Sequence, residues 1–98
     1  MALGILGQWS LDDLRKTRVW EKAYPIYGYD PSEWRRDAFG NVIRKQDHGD
    51  RNSPFGWEID HIHPKALGGL DDLSNLRPLH CRKNASLGGR LASLLGSV

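Results

Sequence analysis

The 98-residue chain contains a single cysteine, Cys81, which excludes an intrachain disulfide and every structural zinc site built on two or more thiolates. No stretch approaches the ~20 consecutive apolar residues that a membrane-spanning helix needs. Met1–Gly7 is apolar but lacks a basic leader, a long hydrophobic run and a small-residue cleavage site, so it does not read as a signal peptide. A cytoplasmic location is the resulting expectation. No internal repeat and no low-complexity tract is visible. Acidic residues stop at Asp72, while Arg77, Arg82, Lys83 and Arg90 all follow it. The final quarter is therefore basic and suited to a phosphate-bearing partner, although the whole chain carries only +2.

What is present fits one small domain over residues 1–98. The chain is 39% hydrophobic and 27% charged, ordinary values for a soluble globular protein, and too short for two cores. Stability must come from packing, to which Trp9, Trp20, Trp34 and Trp57 can each contribute ~150–250 Å² of buried surface.

Ser10-Leu11-Asp12-Asp13 reads as a capped helix start, and a helix over about 11–23 is expected to turn Leu14 and Trp20 inward. Tyr24–Asp30, bracketed by Pro25 and Pro31, reads as loop. Trp34–Arg36 and Val42–Lys45 flank a turn containing Gly40-Asn41 and predict a small peripheral hairpin. Gln46–Gly56 is rich in turn formers and is expected to be an exposed loop. Trp57–Ile62 alternates large apolar with polar residues and reads as a strand ended by Pro64, with Leu76–Leu79 as a second. Cys81–Leu87 reads as a helix that Gly88-Gly89 interrupts, and Leu91, Leu94 and Leu95 continue Leu87 as the stripe of a last short helix closed by Gly96.

Residues 57–87 concentrate the chemistry. Asp60-His61 is followed by Asn75 after thirteen residues and by Asn84 after eight more. Ile62, Pro64, Gly68-Gly69, Leu76 and Leu79 complete an ordered pattern that resembles the HNH endonucleases. Upstream, Trp20 with Lys22, Asp37 with Gly40 and Ile43, and Gly56-Trp57 are similar to the lead-in of small standalone HNH proteins. The resemblance implies an α+β fold with a ββα-metal core, here with an N-terminal helix, the hairpin and a short C-terminal helix. It also implies a metal-dependent endonuclease that cuts DNA phosphodiesters to 5′-phosphate and 3′-hydroxyl ends.

Residue chemistry is compatible with that implication. Hydrolysis of a phosphodiester needs an activated water, neutralisation of transition-state charge and help for the leaving oxygen, and one hard divalent cation can supply the last two. Mg²⁺ takes oxygen ligands and keeps several waters, so Asp60 and Asn84 suffice in type, and the matching family positions hold the metal. Mn²⁺ or another transition metal is also compatible. Histidine can be neutral at physiological pH, which makes His61 the natural general base, the role of the matching family residue. Asn75 has no acid–base capacity, and the resemblance gives it the task of ordering the loop that positions His61. His80 and His63 are candidates for contacts around the metal or substrate, His80 with helix capping as its duller role. Lys65, Arg77, Arg82, Lys83 and Arg90 are candidate contacts to the DNA backbone. Regular pleating sends Asp60 and His61 to opposite faces, so the strand must end, twist or bulge at this point if both are to reach one phosphate.

Two departures from the family pattern stand out. Relatives commonly carry a lysine or arginine just after the helix asparagine, where this chain has Ala85-Ser86-Leu87-Gly88. Many relatives also pair cysteines around a structural zinc, which one cysteine cannot build, so no structural zinc is expected. Two alternatives stay open on the same core: a nucleic-acid-binding module without turnover, and a zinc-stabilised interaction module using His61, His63, His80 and Cys81.

Overall fold

The computed structural model describes residues 9–96, with side chains to residue 91. Helix α1 spans Leu11–Trp20. Strands β1 (Tyr24–Pro25), β2 (Trp34–Arg36) and β3 (Val42–Arg44) form an antiparallel sheet in that order. Strands β4 (Trp57–His61) and β5 (Leu76–His80) form a second antiparallel pair, and helix α2 (Cys81–Gly96) follows β5 directly. The fold is α+β and ends in the expected strand–strand–helix unit. Among the described residues no helix is long and apolar enough to cross a membrane.

Helix α1 begins as its sequence dictates. The Ser10 hydroxyl accepts the Asp13 amide at 3.0 Å, and Asp12 and Asp13 lie in the first turn, where the exposed N–H groups favour negative charge. The helix stops at Trp20, earlier than residue 23. Its buried residues are Val19 and Trp20, whereas Leu14 stays 44% exposed. The expected inward Leu14 is thus corrected: only the last turn of α1 inserts into the core.

That core gathers Val19, Trp20, Ala23, Ile43, Trp57 and Leu76, with Ile59 packed against it. The two indoles lie 5.3 Å apart at a 49° tilt. Each indole N–H donates to a loop carbonyl, Trp20 to Pro31 at 2.9 Å and Trp57 to Lys45 at 3.0 Å. The tryptophans therefore fill the core and also pin the chain that wraps it.

Three further expectations are revised. Tyr24–Pro25 is not loop but pairs with Arg35 and Arg36, because β2 offers it a free edge. The 46–56 segment is not simply exposed. It opens with a 3-10 turn over Lys45–Asp47, His48 bridges to Trp57, and buried Gly56 sits so close to Asp50 that an added Cβ would fall 1.9 Å from its carbonyl oxygen. Helix α2 runs through Gly88-Gly89 without a break. Each glycine costs about 1 kcal/mol relative to alanine, but neither adopts a positive φ, so the cost does not become a kink. Leu94, Leu95 and the apolar start Met1–Gly7 lie outside the described side chains.

The hairpin is tied to the ββα unit by Asp37, which is 2% exposed. Its carboxylate accepts the Phe39 and Asn41 amides within its own turn, and the His80 amide, each at 2.9 Å. Truncation would leave the buried His80 N–H without an acceptor, a loss worth about 2–4 kcal/mol for a charge-assisted network. Asp37→Ala should lower the thermal midpoint by roughly 10–20 °C, followed by circular dichroism. An unchanged midpoint would show that these bonds do not support the fold.

Candidate functional site

Strands β4 and β5 pair in the register Glu58 to Leu79, Asp60 to Arg77 and His61 to Leu76. Successive side chains alternate faces. Trp57 and Ile59 turn toward the core, so His61 shares their side, and Glu58 and Asp60 turn to the side covered by α2. The pleat therefore holds to the end of β4 with neither bulge nor twist to bring Asp60 and His61 together. They have separate partners on opposite faces, and it is the end of the strand at His61 that leaves both at one edge of the sheet.

On the α2 side, the Asn84 amide donates to Glu58 Oε1 at 2.8 Å. Glu58 also forms a forked pair with Arg51, at 2.8 and 3.0 Å. Arg51 first, and Asn84 after it, hold the Glu58 carboxyl below its ordinary range against the opposing effect of burial. Asp60 lies two residues farther along the same face and pairs with the opposite Arg77 at 2.8 Å through Oδ2. Among the described residues no donor meets Asp60 Oδ1. Glu58, absent from the residues singled out in the sequence, thus joins Asp60 and Asn84. Its signal was legible, because a residue two positions before Asp60 in an alternating strand must share its face.

On the other side, His61 Nε2 lies 2.7 Å from Asp71 Oδ1. The contact to His61, ahead of the charge of Lys65, lowers the Asp71 carboxyl from its ordinary value. An ionised carboxylate can only accept, so Nε2 carries the proton and Nδ1 is left as the basic nitrogen. Lys65 approaches the same carboxylate at 3.5 Å. No local signal in the loop singled out Asp71.

Asn75 closes the loop that leaves β4. Its side-chain oxygen accepts the His63 amide at 2.8 Å, and its nitrogen donates to the carbonyls of His63 (3.1 Å) and Leu70 (2.8 Å). Gly69 fits under this strap only without a side chain, since a Cβ would sit 1.8 Å from the His63 oxygen. The strand ends at His61 because the next residues are committed to this tight loop.

The remaining residues are dispersed. His80 receives the Arg82 amide on Nδ1 at 3.1 Å and donates from Nε2 to Pro54 at 2.8 Å, so its ring caps α2 and both nitrogens are used within the fold. His63 Nε2 meets the Leu67 carbonyl at 3.0 Å. Burial pushes the Cys81 thiol up, and His61, His63, His80 and Cys81 do not converge. Among the described residues no three His, Cys, Asp or Glu side chains gather as a metal cage. Arg77, expected on DNA, is committed to Asp60 and to the Phe39 ring, 5.3 Å away. Lys83 Nζ sits 4.3 Å over that ring, and Arg82 and Arg90 are exposed.

Residues 45–88 match the family model of HNH endonuclease. No curated protein and no solved structure gives a match. The matched segment begins at the 3-10 turn that precedes Arg51 and ends within α2, so it holds Glu58, Asp60, His61, Asp71, Asn75 and Asn84 together. Proteins of this kind are in general nucleases and typically bind a divalent metal. Through this segment, a little under half of its length, the chain is similar to the HNH endonucleases.

Proposed function

We propose that the protein is a metal-dependent endonuclease that hydrolyses DNA phosphodiester bonds, with His61 as general base. The observation that carries this reading is the meeting of Asn84 with Glu58 beside Asp60, on a strand that ends in a carboxylate-paired histidine. Two carboxylates and an amide form the set of hard oxygen donors that Mg²⁺ or Mn²⁺ accepts, and such ions need only one or two protein ligands. Asp60 and Asn84 would hold the ion, with Glu58 orienting Asn84. Once bound, it supplies charge neutralisation at the scissile phosphate and the departing 3′-oxygen.

The chain's own groups do the rest. His61 Nδ1 takes a proton from water as its oxygen bonds to phosphorus, and the bond to the 3′-oxygen breaks, leaving a 5′-phosphate. Asp71 holds the ring in the tautomer this requires and balances the imidazolium that results. Asn75 keeps the loop closed so that the end of β4 does not drift. Lys65, Arg82, Lys83 and Arg90 supply the backbone contacts. The test is incubation of the purified protein with supercoiled plasmid. Nicking or linearisation that needs Mg²⁺ or Mn²⁺ and stops in chelator is expected; intact plasmid with every divalent ion tried overturns the reading.

The Asp71 contact has its own consequence. Asp71→Asn replaces an acceptor-only carboxylate by an amide that can also donate, so the ring tautomer is no longer fixed, and it removes the charge that balances the protonated form. The plateau rate should fall about tenfold or more, within the ~10²–10⁴-fold that general-base catalysis contributes. A plateau rate equal to that of the parent protein would make the contact incidental.

A further inference from the structure

Two adjoining cavities lie outside the residues assigned to hydrolysis. The first is a groove of about 510 Å³ between Asn41, Pro54 and the α2 residues Arg82, Lys83 and Ser86. The second is a more apolar pocket of about 270 Å³ formed by Ile26, Tyr29, Trp34 and Arg36. Val42 and Phe55 line both, so the groove runs into the pocket across a shared wall. No carboxylate lines either space among the described residues. The buried Asp37 nearby is occupied by backbone amides.

The pocket is rigid on one side and open on the other. Phe55 meets Trp34 edge-on at 5.0 Å, and the Arg44 guanidinium lies 5.1 Å over the indole. Trp34 is thereby fixed. Tyr29 is 62% exposed and presents its ring at the mouth beside Arg36. Its volume is near the lower end of small-ligand pockets, ~300 Å³, which suits one planar ring rather than a larger ligand.

Resting on the nuclease reading, we propose that this pair of cavities binds an unpaired nucleotide of the DNA substrate, its phosphates along Arg82 and Lys83 and its base against Tyr29 and Phe55. A basic groove that tracks a backbone, joined to aromatic side chains on which a base stacks, is the arrangement by which proteins hold single-stranded nucleic acid. A base within a duplex has its faces covered by its neighbours and cannot enter such a pocket. The preferred substrate is therefore DNA with a flap, bulge or frayed end rather than continuous duplex. Because every base has a π-face, the pocket selects for an unpaired base with little regard to its identity.

The test is fluorescence anisotropy of the full chain in EDTA, which prevents cleavage during titration. The probes are a labelled duplex, the same duplex with a three-thymidine flap, and that flap with abasic sites in place of the thymines. The flap should bind about tenfold tighter than duplex, and abasic sites should remove most of that gain. Tyr29→Ala should abolish the preference, and its exposed position lets circular dichroism verify an unchanged fold. Equal affinity for flap and abasic flap, or a preference that survives Tyr29→Ala, overturns the nucleotide site while plasmid cleavage still supports the nuclease. Absence of binding to all three DNAs together with an intact plasmid overturns both.

Discussion

His61→Ala should lower plasmid cleavage by about 10²–10⁴-fold while leaving the fold and divalent-ion affinity close to those of the parent protein. The side chain makes one polar contact, to Asp71 at 2.7 Å, and that partner is itself exposed and has Lys65 beside it. Its removal opens no core cavity, since the core is built from Trp57, Ile59 and Leu76 around it. The His61 side chain is only 20% exposed, so some packing is lost and the stability should fall by about 1 kcal/mol, the centre of the range for point substitutions. A loss of rate far larger than this modest loss of stability can explain separates a proton acceptor from a structural histidine. Added imidazole provides a second readout, because a small base admitted to the truncated site should recover part of the rate. Cleavage by His61→Ala at the parental rate would make the histidine structural and remove the proposed general base.

Much of this site was legible because its signals are local and periodic. Alternation from Trp57 to His61 identifies a strand, and the order Asp60, His61, Asn75, Asn84 places its companions in the loop and on the helix. Other features depend on distant partners. Asp60 and Arg77 are seventeen residues apart, and only the register of β4 against β5 makes them opposite neighbours. Arg77 in isolation looks like one more free cation in a basic tail. Asp37 reads as a turn residue, which it is, but its bond to the His80 amide spans forty-three residues and has no periodic trace. Tyr24–Pro25 becomes a strand only because β2 lies alongside it. The uninterrupted α2 shows the converse limit, a local glycine penalty too small to decide the outcome.

The Asp60–Arg77 pair also sets the result expected of the metal ligands. Arg77 and a divalent cation are rivals for the same carboxylate, so the ion pair should moderate cation affinity. Asp60→Ala should nearly abolish cleavage and strongly weaken Mn²⁺ binding measured by titration calorimetry, because it removes a charged oxygen ligand. Asn84→Ala should weaken both less, and raised Mn²⁺ should restore part of its activity, since a neutral amide contributes less to holding the ion. Arg77→Gln removes the rival and should tighten Mn²⁺ binding, an effect opposite in sign to the other two. This sign matters because a substitution that merely damages the fold would weaken binding in every case. Glu58 remains with Arg51 in each variant, so its pairing cannot account for the differences. Unchanged Mn²⁺ affinity in both Asp60→Ala and Asn84→Ala would move the cation away from the face shared by β4 and α2.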